Sequence, residues 1–136
     1  MSESHGHRIV LPEGWPRPSG YANAIAARGM QVHVAGQIGW DEHRTLAKGD
    51  LLAQTRRALR NIVEVLSAAG ARPEHLVRLT WYVTDRAEYL RHAAAIGAIY
   101  RDVIGKWYPA MSAIEVSALI EDGAVVEIEA TAVIPD

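Results

Sequence analysis

The chain has 136 residues, a formal net charge of −2, 49% hydrophobic residues and 22% charged residues, which is ordinary for one globular domain. It has no cysteine, which excludes disulfide bonds, thiolate catalysis and thiolate metal sites. No apolar run approaches the roughly 18 residues of a membrane span, and the absence of a basic block argues against a nucleic-acid partner.

The first residues are polar and rich in proline, with Pro12, Pro16 and Pro18 closely spaced. This pattern predicts an extended N-terminal arm over residues 1–18, followed by a single domain over residues 19–136. The arm has no apolar core of the kind found in secretory signals, so we expect a cytoplasmic protein.

Alternating segments at residues 22–28 and 30–36 predict two strands, and the pair Arg28-Gly29 predicts a hairpin turn between them. A long helix is expected to begin at Asp50 as its N-cap and to end at Gly70. The apolar alternation at residues 76–83 then predicts a third strand.

Asp85 and Glu88 are spaced as a capping box, which predicts a second helix that continues to about residue 104. Two further alternating segments, residues 108–119 and 125–134, predict strands joined by a hairpin turn at residues 121–123. The resulting order β-β-α-β-α-β-β predicts an α+β sandwich, with two helices on one face of a mixed sheet.

In the last two predicted strands, the face opposite the apolar residues has an unusual composition. In the final strand, Glu127 and Glu129 lie opposite the apolar residues, and in the preceding strand Met111, Ala113 and Glu115 line up. A face that mixes carboxylates with methionine and alanine is unusual for simple exposure to solvent. It predicts a partner surface or a cleft, and therefore an oligomer.

Several of these segments resemble the Rid (reactive intermediate deaminase) family. The segments Pro109-Ala-Met-Ser112 and Val126-Glu-Ile-Glu-Ala130 are similar to its C-terminal signature, and Val34-Ala-Gly-Gln-Ile-Gly39 resembles its strand-end element. The resemblance covers roughly residues 20–134. It implies a chorismate-mutase-like fold and a homotrimer with a central barrel, in which clefts between subunits bind a small molecule.

The resemblance also assigns residues to the cleft. In the family, an arginine at the position of Met111 binds the carboxylate of a 2-iminoacid, and a residue matching Glu127 positions the water that hydrolyses the imine to a keto acid and ammonia. Tyr21 matches the cleft tyrosine, and Ala113 replaces a cysteine often found there. Gly97 stands where archetypal members have asparagine.

Gln37 and Ser112 also match family signature positions, and Trp40, directly after Gln-Ile-Gly, is a further candidate for a cleft wall. Glu127 has a second interpretation, as an interface carboxylate paired with an arginine of a neighbouring subunit. The six histidines have no metal-ligand spacing. We therefore expect no metal and no cofactor.

Three functions follow as hypotheses. The first is a Rid-type homotrimer that binds a small metabolite in clefts between subunits, with archetypal deamination weakened by Met111. The second is an active imine or enamine deaminase, in which another arginine, from the arm (Arg17) or a loop, replaces the missing one. The third is a translation-related or protein-binding role without catalysis. The expected partners are a small molecule and further copies of the chain, with no nucleic acid and no membrane.

Overall fold

The computed structural model describes residues 2–4 and 6–136, so Met1 and His5 lie outside the described residues. Its main sheet has four strands in the order β4-β7-β5-β6. These strands are β4 (Met30–Ile38), β5 (Leu76–Val83), β6 (Ala110–Glu115) and β7 (Val126–Ile134). β6 runs parallel to β5 and the other pairs are antiparallel, which confirms the predicted mixed sheet.

Among the described residues, three α-helices accompany this sheet: α1 (Leu51–Ala68), α2 (Arg86–Arg91) and α3 (Ala93–Val103). α1 packs against β4, β7 and α3, and the core between helices and sheet includes the fully buried Leu59, Ile62 and Ile128. We call this side of the sheet the helix face and the other side the open face. None of the helices in the described part of the chain is long and apolar enough to cross a membrane.

The N-terminal segment is extended, and it forms a small antiparallel sheet of β1 (Ser2–Ser4), β2 (His7–Val10) and β3 (Ala24–Ala26). His7 is fully buried, and its Nε2 donates a hydrogen bond of 3.0 Å to the carbonyl of His75. The segment is thereby fastened to the start of β5. The boundary between an N-terminal arm and the domain at residue 18 stays a prediction.

The predicted helix ends are largely confirmed. Asp50 accepts a hydrogen bond of 3.0 Å from the Ala53 amide at the start of α1. Gly70, just beyond its end, has a φ of 81°, a conformation that glycine adopts without strain. Asp85 caps α2 in the same way as Asp50 caps α1. The second predicted helix is, however, divided into α2 and α3, because His92 has the non-helical angles φ −104° and ψ 17°.

Both predicted hairpins are wrong. β3 pairs with β2, while the next strand, β4, pairs with β7. β6 and β7 are not paired either, because β7 lies between β4 and β5 and β6 lies on the outer side of β5. The burial of β7 suits this central place, since Val126 and Ala132 on its helix face are at most 1% exposed. A period-two pattern indicates a strand and its faces, but it does not identify the neighbouring strand.

The register also corrects the predicted face of β6. Leu79 is paired with Met111 and Trp81 with Ala113, and paired residues of neighbouring strands share a face of the sheet. Met111 and Ala113 therefore lie on the helix face, with the buried Leu79 and Trp81. Glu127, in contrast, alternates with the core residues of β7 and lies on the open face.

Gln54 joins three segments that the sheet does not connect. It is fully buried; its amide donates to the carbonyls of Ala47 (2.8 Å) and Gly123 (2.9 Å) and accepts from the Val125 amide (2.9 Å). Replacing Gln54 with leucine should lower the free energy of unfolding by about 3 kcal/mol, since three backbone groups lose a partner at about 1 kcal/mol each. Urea unfolding measures this, and Arg60→Leu, at an exposed position of the same helix, is the control, expected to change stability by less than about 0.5 kcal/mol.

Candidate functional site

A cavity of about 770 Å³ lies between β6, the α2–α3 face and the chain around residue 20. It brings together four of the residues that the sequence assigns to the cleft, namely Tyr21, Met111, Ser112 and Ala113. Gly97, the other position noted for its departure from the family, also lines it. Because its wall is largely aromatic, we call it the aromatic cavity.

The wall consists of ring side chains that sequence reasoning did not assign to the site. Trp81, Tyr89, Tyr100 and Tyr108 all line the cavity. The Tyr100 and Tyr108 rings are stacked with centroids 5.3 Å apart, and Trp81 is tilted against Tyr100 at 6.5 Å. Contacts of this kind hold the wall in one shape.

Two phenols of the wall, those of Tyr89 and Tyr100, are neutral groups. Burial raises the pKa of Tyr89 and of Tyr100 above their ordinary value, so both stay protonated near neutral pH. The hydroxyl of Tyr100 donates to the carbonyl of Trp107 at 2.5 Å. The wall therefore offers flat apolar surface rather than charge.

Arg101 supplies the charge, and the sequence analysis did not select it. It is the one charged residue among the described residues that line the aromatic cavity. Its Nη1 lies 3.3 Å from the point where a Cβ of Gly97 would stand, so the guanidinium lies over the glycine four residues earlier on α3. That i, i+4 spacing was the available signal. Arg17, the arginine considered from the sequence, lines a neighbouring cavity of about 610 Å³ instead.

Gln37 and Trp40 lie elsewhere in the single chain. They line a smaller cavity of about 190 Å³ beside α1. The Gln37 amide donates to the carbonyl of Ala35 at 3.1 Å, and the guanidinium of Arg44 lies 5.4 Å from the centroid of the Trp40 ring. The structure therefore does not bring these two residues to the aromatic cavity of their own chain.

Glu127 lies on the open face, where β4 has a bulge between Val34 and Gln37. Its Oε2 lies 2.0 Å from the position that a Cβ of Gly36 would occupy. Gly36 thus leaves the space that the carboxylate fills. Among the described residues, no side chain or amide forms a hydrogen bond or ion pair with this carboxylate.

The neighbouring carboxylate, Glu129, is engaged within the chain. It accepts a hydrogen bond of 2.7 Å from the hydroxyl of Tyr82. This bond raises the pKa of Tyr82, because deprotonation of the phenol would lose the bond and place two negative charges together. Of the two glutamates, Glu127 is the one left available to a ligand or to another subunit.

Glu127 and Met111 lie on opposite faces of one sheet, so one chain does not place them in a common site. In the described part of the chain, no three histidine or carboxylate side chains are grouped as metal ligands. A single chain therefore has the aromatic cavity, with Arg101 at its wall, and separately the carboxylate of Glu127 on the open face. A site that used both would need two chains.

Comparison with known proteins gives a consistent result. A family profile described as Endoribonuclease L-PSP matches residues 16–134. A RutC family protein of Pyrococcus horikoshii is 36% identical over an alignment of 126 residues, and the match covers 91% of this chain and 95% of that protein. A protein of Capra hircus named 2-iminobutanoate/2-iminopropanoate deaminase is 33% identical over 128 residues, covering 93% of this chain and 89% of its own length.

Among solved structures, a protein of unknown function from Yersinia pestis, described as a member of the conserved Rid protein family, superposes with a TM-score of 0.80. It shares 39% sequence identity, and the match covers 94% of this chain and 98% of that one. The predicted α+β fold is confirmed by this similarity. The chain therefore belongs to the Endoribonuclease L-PSP family, also called the Rid family.

Proposed function

We propose that the protein works as a cytoplasmic homotrimer that binds a small metabolite in clefts between its subunits. The observation that carries this proposal is the aromatic cavity, which gathers Tyr21, Met111, Ser112 and Ala113 in a volume of about 770 Å³. Cavities of this size and largely apolar lining are typical of small-molecule sites.

The position of Glu127 supports a cleft made by two chains. Its carboxylate lies on the open face without a partner in its own chain, whereas the aromatic cavity lies beside the helix face. A cleft that contains both forms where the open face of one subunit meets the cavity of the next.

The open face has the mixed character of an interface. It carries Arg78 and Glu129, which have opposite charges, and the side chain of Ile114, which is 45% exposed. Complementary charges around apolar contacts fix the register between subunits. This composition supports self-association of the open face.

We expect three chains of 14.9 kDa each to give a particle of about 45 kDa in light scattering at micromolar concentration. Ile114→Asp should shift the mass towards that of the single chain, because it buries a charge in the proposed interface. Leu90→Asp is the matched control: Leu90 is 53% exposed on α2, away from the open face. A stable monomer of the unmodified chain would contradict the proposal.

Hydrolysis of the smallest 2-iminoacids should be weak. Met111 stands where the family signature has arginine, and a thioether cannot form the charge-assisted pair that a guanidinium forms with a carboxylate. The loss is about 1.5–3 kcal/mol, or roughly ten- to a hundredfold in binding.

A second candidate function is hydrolysis of an imine or enamine with a different arginine as the anchor. The observation that favours it is Arg101, whose guanidinium lines the aromatic cavity together with Met111. The name of one relative, 2-iminobutanoate/2-iminopropanoate deaminase, supports imine hydrolysis as the reaction. Keto-acid release from 2-aminoacrylate and from the imine of phenylalanine tests both candidates. Turnover of the imine of phenylalanine, together with weak turnover of 2-aminoacrylate, would favour the second candidate.

A further inference from the structure

We propose that Arg101 is the anion anchor of the aromatic cavity, and that its ligand is a carboxylate carrying a flat aromatic body. This inference rests on the proposed binding function and names the class of ligand for that same site. It differs from the family pattern because the cation comes from α3 rather than from the strand that carries Met111.

The helix geometry gives Arg101 access to the cavity. Residues 97 and 101 are four apart on α3, so their side chains share one face of the helix. Ile96 and Tyr100 on the same helix also line the cavity. Any side chain at position 97 would meet the guanidinium, because its Nη1 lies 3.3 Å from the position that a Cβ of residue 97 would occupy. The glycine therefore provides the space in which the guanidinium lies.

Arg101 is also electrostatically available. The adjacent Asp102 is bound by Arg56 at 2.5 Å, and in the described part of the chain Arg101 forms no ion pair or hydrogen bond of its own. Among the described residues, no carboxylate lines the cavity to neutralise it. A guanidinium with a free planar edge next to apolar walls favours a carboxylate, which it can bind through two parallel hydrogen bonds.

The walls define the rest of the ligand. Tyr21, Tyr89 and Tyr108 present ring surfaces to the cavity, in front of the buried Trp81 and Tyr100. Met111 adds a polarisable thioether where the family signature has arginine. Rings of a ligand stack on such surfaces, and thioethers contact aromatic edges favourably. A two- or three-carbon acid would leave most of the roughly 770 Å³ unfilled. The cavity therefore selects an arylalkyl acid over a short one.

Isothermal titration of the full-length protein with three probes tests this. 3-Phenylpropanoate has both features, 3-phenylpropanamide lacks the charge, and propanoate lacks the ring. We expect the aromatic acid to bind at least about tenfold more tightly than either other probe. Arg101→Met should weaken binding of the acid about ten- to a hundredfold and leave the affinity for the amide unchanged, which also shows that the variant is folded.

Arg60→Met is the matched control, because it removes the same charge from the exposed side of α1 and should alter none of the three affinities. Equal binding of acid and amide by the unmodified protein, or an acid affinity that survives Arg101→Met, would overturn the anchor. Failure of all three probes to bind would overturn the ligand class. None of these binding results changes the mass of the oligomer or the rate of imine hydrolysis. Light scattering and keto-acid release therefore test the proposed function separately.

Discussion

Replacing Gly39 with alanine should cost about 3 kcal/mol or more of unfolding free energy, because the added methyl group would meet the backbone of a helix. Gly39 is buried where β4 meets the first turn of α1. A Cβ at this position would stand 2.4 Å from the Cα of Gln54 and 2.6 Å from its carbonyl oxygen. Because the clash is with helix backbone rather than with a flexible side chain, relief requires α1 to move away from the sheet.

Urea unfolding at one fixed protein concentration measures this loss, since the stability of an oligomer depends on concentration. Gly97→Ala is the matched control. Position 97 lies inside α3, where alanine is favoured over glycine by up to about 1 kcal/mol, and only the mobile end of Arg101 must shift. The two variants should thus change stability in opposite directions. If the Gly39→Ala protein were as stable as the parent, the backbone of α1 would not lie close enough to residue 39 to exclude a methyl group, and the prediction would be wrong.

Local features of the fold followed from the sequence because local chemistry decides them. Asp50 and Gly70 bound α1 as expected, since an N-cap needs a side-chain acceptor and a helix end favours a residue with positive φ. The helix face of β7 was equally predictable from the alternation of Val126 and its apolar companions. The order of the strands was not, because pairing of β7 with β5 and β4 depends on contacts far apart in the chain.

The candidate site shows the same division. Tyr21, Met111 and Ser112 came from a resemblance in sequence, and they do share a cavity. Arg101 was missed because a long side chain can point in many directions, and its direction here depends on the absence of a side chain at Gly97. The separation of Glu127 from that cavity was also hidden, since it follows from the parallel register of β6 beside β5.

Glu127→Gln should lower hydrolysis of the imine of phenylalanine by at least about a hundredfold, because an amide cannot accept a proton from the attacking water. The structure motivates this role: the carboxylate fills the space above Gly36, and no described residue of its own chain forms a hydrogen bond or ion pair with it. Glutamine has nearly the same shape, so the mass of the proposed trimer in light scattering should be unchanged. Rates of keto-acid release and the mass together separate catalysis from assembly.

Glu129→Gln is the matched control from the same strand and face. Its oxygen can still accept the hydrogen bond from Tyr82, so we expect a rate within about threefold of the parent, since an exposed pair of this kind contributes little. If Glu127→Gln instead dissociates the trimer while 3-phenylpropanoate still binds, Glu127 is an interface residue and its catalytic role is wrong. An absence of hydrolysis by the unmodified protein would contradict that role as well, because a carboxylate that positions water has a purpose only where an imine is hydrolysed.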